Sequence, residues 1–231
     1  MKIGIICPSD SELNPFLKHI ECCTVSEKSM LKIYEGRIGS ADIAALFSGV
    51  CRTNAAVAAQ ILIDSYGEDT VIVAGVAGGI DSKIKLFDTV VATKTAYYDV
   101  GEEILTEFHP WMKSVWFESD EKLVLCAKKA LSDNRRVFYG RIVTGESFIE
   151  DEGREEIIRD FLPLAVDMES AAVAHVCYVN SVPFIAVRCV TDTAEHSGHD
   201  NFEINCERTS NIAKDITLYI VSEIAKCEQF E

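Results

Sequence analysis

The sequence has no apolar run long enough to cross a bilayer, which takes about 20 residues, so a membrane partner is not expected. It also lacks positive charge: 37 Asp and Glu against 22 Lys and Arg leave a net charge of -15. Nucleic-acid modules need a basic face, so a nucleic-acid partner is not expected either. A small uncharged ligand stays open. The nine cysteines are odd in number and show no metal-ligand pairing. Cys22 and Cys23 are adjacent, and the others are scattered through apolar segments. Free cysteines of this kind behave as small buried hydrophobes and fit a reducing, cytoplasmic setting. The opening run Ile3-Gly4-Ile5-Ile6-Cys7 is too short for a signal-peptide core and has no small-residue cleavage site, so it reads as a first strand. No repeat, low-complexity tract or Pro/Gly/Ser-rich linker interrupts the chain. Its length suits one large α/β domain or two small ones, and the missing linker favours a single domain over residues 1–231.

What the chain does have is alternation of two patterns. Apolar, β-branched runs at residues 3–7, 43–48, 70–76, 89–96, 137–144, 164–168 and 184–191 mostly lack strict polar alternation, which predicts strands buried on both faces. Helical patterns lie between them at 54–66, 121–131, 153–161 and 169–179, and a long amphipathic one at 202–225 closes the chain. Its apolar stripe is expected to use Ile204, Ile212, Ile216, Leu218, Ile220, Val221 and Ile224. The alternation predicts an α/β sheet covered by helices. Two segments, 99–119 and 193–201, carry neither pattern. The first is dense in aromatics, with Phe108, His109, Pro110, Trp111, Trp116 and Phe117, and long loops of this kind are usually functional or mobile.

Several polar residues fall where such strands would end. Glu169 stands where an apolar strand gives way to an Ala-rich helix, and Arg188 and Asp192 close a second strand. If those strands are neighbours, all three reach the carboxyl edge of the sheet, where open α/β sheets bind ligands. Each also has a plainer reading. Glu169 suits a helix start, Asp192 suits a turn cap, and Arg188 suits an ion pair with either. Glu12 follows the first strand, where α/β enzymes place catalytic groups, yet Ser9-x-x-Glu12 is also a helix capping box. The run Gly75-Val76-Ala77-Gly78-Gly79 would let backbone approach a ligand or simply turn tightly. It has neither the dinucleotide spacing nor the Lys-Ser/Thr of a phosphate loop, so no cofactor is expected. The His196-Ser197-Gly198-His199 spacing resembles a metal pair without supporting ligands, and no metal is expected. His175 reads as a packed residue.

Taken together these motifs resemble the 5'-methylthioadenosine/S-adenosylhomocysteine nucleosidases of the purine nucleoside phosphorylase superfamily. The likeness runs nearly end to end: the first strand with Glu12, Ser48-Gly49-Val50, Gly75 to Gly79, Thr144-Gly145-Glu146-Ser147-Phe148-Ile149, Val166-Asp167-Met168-Glu169-Ser170-Ala171-Ala172 and Val187-Arg188-Cys189-Val190-Thr191-Asp192. It implies a three-layer αβα fold with a mixed, twisted central sheet, a nucleoside substrate and a homodimer. Residue by residue, Asp192 would protonate purine N7 and accept from the 6-amino group. Glu169 would hold the ribose hydroxyls with Met168 packed on the sugar. Glu12, aided by Arg188, would position and deprotonate water. Phe148 would stack on the base beside the Ile149 backbone, Val76 would stand at the ribose and water site, and Ala77 and Gly78 would bind substrate. Phe108, Trp111 and Phe202 would line the pocket for the 5' substituent.

The chemistry fits these residue types. Breaking a ribosyl C–N bond needs an acid at the departing base and a carboxylate at the water, as in inverting glycosidases. Phosphorolysis would instead need an anion site, normally with arginines. The first loop supplies acidic Asp10 and Glu12 instead, and the nearby candidate Arg52 stands at a helix start, where an arginine is more often solvated, so hydrolysis is the expectation. The chain departs from the family at Cys7 to Glu12, at Val76 in place of a usual Ser, and at Val50-Cys51-Arg52-Thr53. These departures bear on the 5' group and on efficiency. They keep open a nucleosidase for another 6-aminopurine nucleoside, such as 6-amino-6-deoxyfutalosine, a phosphate-dependent phosphorylase, and a nucleoside-binding module without catalysis.

Overall fold

The structure is a computed structural model that describes residues 2–108, 112–131, 136–150, 153–195 and 199–227. Ten strands share one mixed sheet: β1 Lys2–Cys7, β2 Glu21–Lys28, β3 Leu31–Ile38, β4 Ala41–Phe47, β5 Thr70–Gly79, β6 Thr89–Tyr97, β7 Phe117–Glu118, β8 Val137–Thr144, β9 Ala165–Asp167 and β10 Phe184–Asp192. The helices are α1 Asp10–Leu17, α2 Arg52–Ile61, α3 Glu102–Thr106, α4 Glu121–Ala130, α5 Arg154–Phe161, α6 Ser170–Asn180 and α7 His199–Cys227, and α2 runs on into a π-helical turn at Leu62–Tyr66. None of the described helices is long and apolar enough to cross a membrane.

The sheet lies between two helical layers, as the fold class predicted. On one face Ile6, Leu46, Val71 and Val73 pack against Ala55, Ala58 and Ala59 of α2 and the alanines of α6. On the other, Ile3, Ile5, Ile43 and Ile72 pack against Leu13 and Phe16 of α1, Leu123 and Ala127 of α4, and Ile216, Ile220, Val221 and Ile224 of α7. Neighbours such as Ile5 and Ile6 point to opposite faces and both are fully buried, which is why the strands read as continuous apolar runs. Each such side chain contributes about 1.5–3 kcal/mol by leaving water. Ile204 does not belong to this stripe. It is 78% exposed.

Three strands, β2, β3 and β7, had no sequence signal. β2 is exposed along nearly all its length, and with β3 it forms an antiparallel extension held by backbone pairing rather than burial. Cys22 and Cys23 sit on it and are exposed, whereas Cys7, Cys126, Cys177 and Cys189 are buried as expected. The segment 99–119 contains the short α3 and β7, with residues 109–111 outside the described set.

The topology corrects one expectation. β9 and β10 are not neighbours: each pairs with β5, β10 in parallel and β9 antiparallel. Through β6 and β8 these strands close a ring, β5–β10–β6–β8–β9 and back to β5. The carboxyl end of β9 therefore meets the last third of β5 from the opposite direction. Polar ends from β1, β5, β9 and β10 converge at Val76 to Gly78 rather than along one parallel edge.

Candidate active site

The segment Gly75 to Gly79 is part of β5, not a turn after it. Its glycines serve side chains that cross the strand. A Cβ on Gly75 would fall 2.2 Å from Glu12 Oε1 and 2.9 Å from Arg188 Nη1, and one on Gly78 would meet Asp192 Oδ2 at 3.0 Å. The small residues are the clearance through which three functional groups reach one place.

Glu12 takes part in the capping box of α1 and also borders the cavity. Its Oε2 accepts from the Ser9 N–H at 2.9 Å, the capping-box bond at the start of α1. Its Oε1 accepts from the Val76 N–H at 2.8 Å, and Arg188 Nη1 lies 3.9 Å from that same oxygen. The carboxylate is 3% exposed. Burial pushes its pKa up, and Arg188, the Ser9 bonds and the Val76 amide pull it part of the way back.

Arg188 is completely buried beneath the site and lines no part of the cavity. Its Nε lies 2.9 Å from Asp167 Oδ2 and its Nη2 3.2 Å from Glu169 Oε2. Burial alone would lower the guanidinium pKa, but Asp167, Glu169 and Glu12 outweigh it and hold the charge in place. Glu169 does not cap α6 with its side chain. Its second oxygen accepts from the Cys51 N–H at 3.0 Å, and burial raises its pKa against the opposing pull of Arg188. The capping role falls to Asp167, which accepts from the N–H groups of Glu169 and Ser170 and from the Thr144 hydroxyl at 2.5 Å. Asp167 and Thr144 stand inside the quoted motifs, yet nothing in their spacing announced this bracing. Cys51 donates to Glu169 from a backbone at φ 82°, a region natural to glycine that costs a side-chain-bearing residue about 1–3 kcal/mol.

Asp192 ends β10 and is 2% exposed. It is not a turn cap. Its Oδ1 accepts from the Thr191 hydroxyl at 2.7 Å. Burial raises its pKa, while that hydroxyl and Arg154 lower it. Arg154 is held by the Gly79 carbonyl at 3.1 Å.

Glu12, Asp167, Glu169 and Asp192 border a cavity of about 320 Å³. Glu12, Val76, Ala77, Gly78, Phe148, Ile149, Met168, Glu169, Asp192 and Phe202 all line it, as do Pro8, Ser9, Val50, Ser147 and Thr191, which the sequence did not single out. Phe148 and Phe202 meet edge to face, with centroids 6.2 Å apart. Phe108 is not brought to the cavity: it lies just beyond α3 with 63% exposure. Trp111 and the residues 196–198 of the His196/His199 spacing lie outside the described residues. His175 is packed as expected, 4.8 Å from the Phe117 ring and 3.3 Å from the Tyr97 hydroxyl. Arg52 is committed elsewhere, to Glu146 and Asp99 at 2.7 Å each.

Known proteins share this arrangement of elements. A 5'-methylthioadenosine/S-adenosylhomocysteine nucleosidase from S. pneumoniae, solved with a transition-state inhibitor, is 27% identical over 97% of this chain and 100% of its own, with a TM-score of 0.89. The corresponding nucleosidase from Neisseria meningitidis, in complex with methylthio-immucillin-A, is 28% identical over 95% of this chain and 98% of its own, TM-score 0.88. A futalosine hydrolase of Helicobacter pylori shares the fold at 24% identity over 96% and 98% of the two chains, TM-score 0.87. The family model of the phosphorylase superfamily matches residues 2–222. Its span takes in every strand of the sheet and every residue that borders the cavity, and the chain belongs to the phosphorylase superfamily.

Proposed function

We propose that the protein is a cofactor-free purine nucleosidase that hydrolyses the N-glycosidic bond of 5'-methylthioadenosine, S-adenosylhomocysteine, or both, releasing adenine and the 5-thio-substituted ribose. The observation that carries this reading is the pairing of two buried carboxyl groups on one cavity, Glu12 and Asp192, each with a raised pKa and each held by its own hydrogen bonds.

Asp192 supplies the proton. Burial biases it toward the protonated form against the pull of Thr191 and Arg154, so it is placed to give a proton to N7 of the departing base and then accept from the 6-amino group as a carboxylate. That sequence favours a 6-aminopurine over a 6-oxopurine, whose carbonyl an ionised carboxylate repels. Glu12 takes the proton of the attacking water as the new C1'–O bond forms and the C1'–N9 bond breaks. Glu169 is fixed by Arg188 and the Cys51 amide, so its orientation toward the ribose hydroxyls costs no reorganisation during the reaction. Phe148 offers a face to the base, and Met168 packs on the sugar.

Water rather than phosphate is the acceptor in this reading, because Arg52, the candidate for an anion site, is already paired with two carboxylates while Glu12 would repel an anion. The exposed Phe108 and Ile104 support a homodimer in which the 5' end of the pocket is completed by a second copy. Base release from 5'-methylthioadenosine, S-adenosylhomocysteine, 6-amino-6-deoxyfutalosine, adenosine and inosine, each with and without phosphate, tests the proposal. Adenine from the thio-nucleosides without phosphate is expected. Release only with phosphate would make the protein a phosphorylase, and binding without release would make it a binding module.

A further inference from the structure

Glu12 has an unusual second partner. Besides its amide, Ser9 presents its hydroxyl to Glu12 Oε2 at 2.5 Å, and the same hydroxyl lies 2.9 Å from the hydroxyl of Ser11. In the ionised form that a base for water requires, Glu12 can only accept, and the hydrogen in the Ser9–Glu12 contact then belongs to Ser9. Ser9 has one hydroxyl hydrogen to give. The hydrogen between the two serines must then come from Ser11, and the chain Ser11 to Ser9 to Glu12 points inward. Such a bond to a charged acceptor is shorter and stronger than one between neutral groups, and 2.5 Å is the length that implies it. Ser9 also borders the cavity. Val76, on the other side of Glu12, provides an amide but no hydroxyl.

We propose that Ser9 is a positioning residue for water activation: its hydroxyl, oriented by Ser11, keeps Glu12 ionised and fixes which of its lone pairs face the cavity. This rests on the reading of Glu12 as the base for water. The groups facing Glu12 are Arg188 from β10, Glu169 at the start of α6, the Cys7 thiol at the end of β1 and the Val76 amide of β5. Helix α7 approaches through Cys206, whose sulfur lies 3.7 Å from the Ser11 hydroxyl. Arg188, shared with Asp167 and Glu169 and 3.9 Å away, is the larger influence that favours the charged form, and the short Ser9 hydroxyl bond is the next. Ser9 pulls the Glu12 pKa down through both its hydroxyl and its amide.

The test follows the Glu12 carboxyl directly. In protein carrying 13C at the glutamate carboxyls, the Glu12 signal is assigned by its loss in Glu12→Gln and titrated in the native protein, Ser9→Ala, Ser9→Thr and Ser11→Ala. Ser9→Ala is expected to move the Glu12 midpoint upward and the acid limb of kcat/KM with it. It should lower kcat about tenfold, the scale of one hydrogen bond to a charged group, with little change in KM. Ser9→Thr should restore both midpoint and limb. Ser11→Ala leaves the helix cap intact and should shift both in the same direction by less, so the proposal remains testable if Ser9→Ala does not fold. An unmoved Glu12 midpoint in Ser9→Ala and Ser11→Ala would overturn it. Full turnover in Glu12→Gln would instead remove the base assignment, and the two failures are distinguishable.

Discussion

The two ends of β1 each hold a buried glutamate, and they differ in what surrounds it. At the carboxyl end, Glu12 is 3% exposed and receives two amides and a hydroxyl, with Arg188 close by. At the amino end, Glu68 is 6% exposed and packs over Gly4, and its Oε2 has no partner among the described residues. The charges around Glu68 are Lys2 on one side and Asp69, Glu35 and Asp42 on the other, and burial pushes its pKa up to about 8. Desolvation raises both carboxyls. Only Glu12 has donors that restrain the rise and a cavity to act on. Burial of an acid does not mark a site by itself. Convergent donors around an acid that faces a cavity do.

The sharpest way to break the active end is Asp192→Asn. It removes the proposed proton donor while keeping shape, and base release should fall by about 10²–10⁴-fold, the usual contribution of a general acid. Calorimetric titration with a substrate should still show binding, and undiminished release would end the acid assignment. Arg188→Met comes next. It leaves Glu12, Asp167 and Glu169 buried with no shared cation, a loss of about 3–5 kcal/mol. Because burial raises Glu12 and Glu169 and Arg188 opposes that rise, these two would then bind protons more tightly when folded than unfolded, and the deficit in thermal unfolding should be larger at pH 8 than at pH 5. An equal deficit at both would mean that packing, not charge, holds the cluster. Glu68→Gln is the smallest effect and concerns the opposite end. With a folded pKa of about 8 against an ordinary 4.5, Glu68 contributes stability that is complete at low pH and lost as pH rises through about 8. The glutamine variant should therefore unfold higher than the native protein at pH 9, by about 2–4 °C, the shift that about 1 kcal/mol produces at this chain length, and match it near pH 4. A variant no more stable at pH 9 would place Glu68 in contact with water.

Legibility followed burial. The strands packed between two helical layers were visible as apolar runs, since both faces of Ile3 to Cys7 and Val71 to Ala74 leave water. β2 was not, because pairing of exposed backbone leaves no side-chain pattern. Glu12, Glu169 and Asp192 were legible as residues out of place at the ends of apolar elements. Asp167 was not, although it holds both Arg188 and the start of α6, because one residue in a motif says nothing about which charge it meets. Ser9 looked like a cap and is one, and its second role depends on where Glu12 turns its carboxylate.

The sequence by itself determined the α/β alternation, the motifs of the superfamily and the acidic candidates, since apolar periodicity and residue type are local properties. Tertiary structure decided their arrangement. It ran β9 antiparallel to β5, closed five strands into a ring, passed Glu12 and Arg188 over Gly75, and left Phe108 outside the cavity. Those outcomes depend on strand pairings between residues up to more than a hundred positions apart, and no local pattern encodes which strand lies beside which.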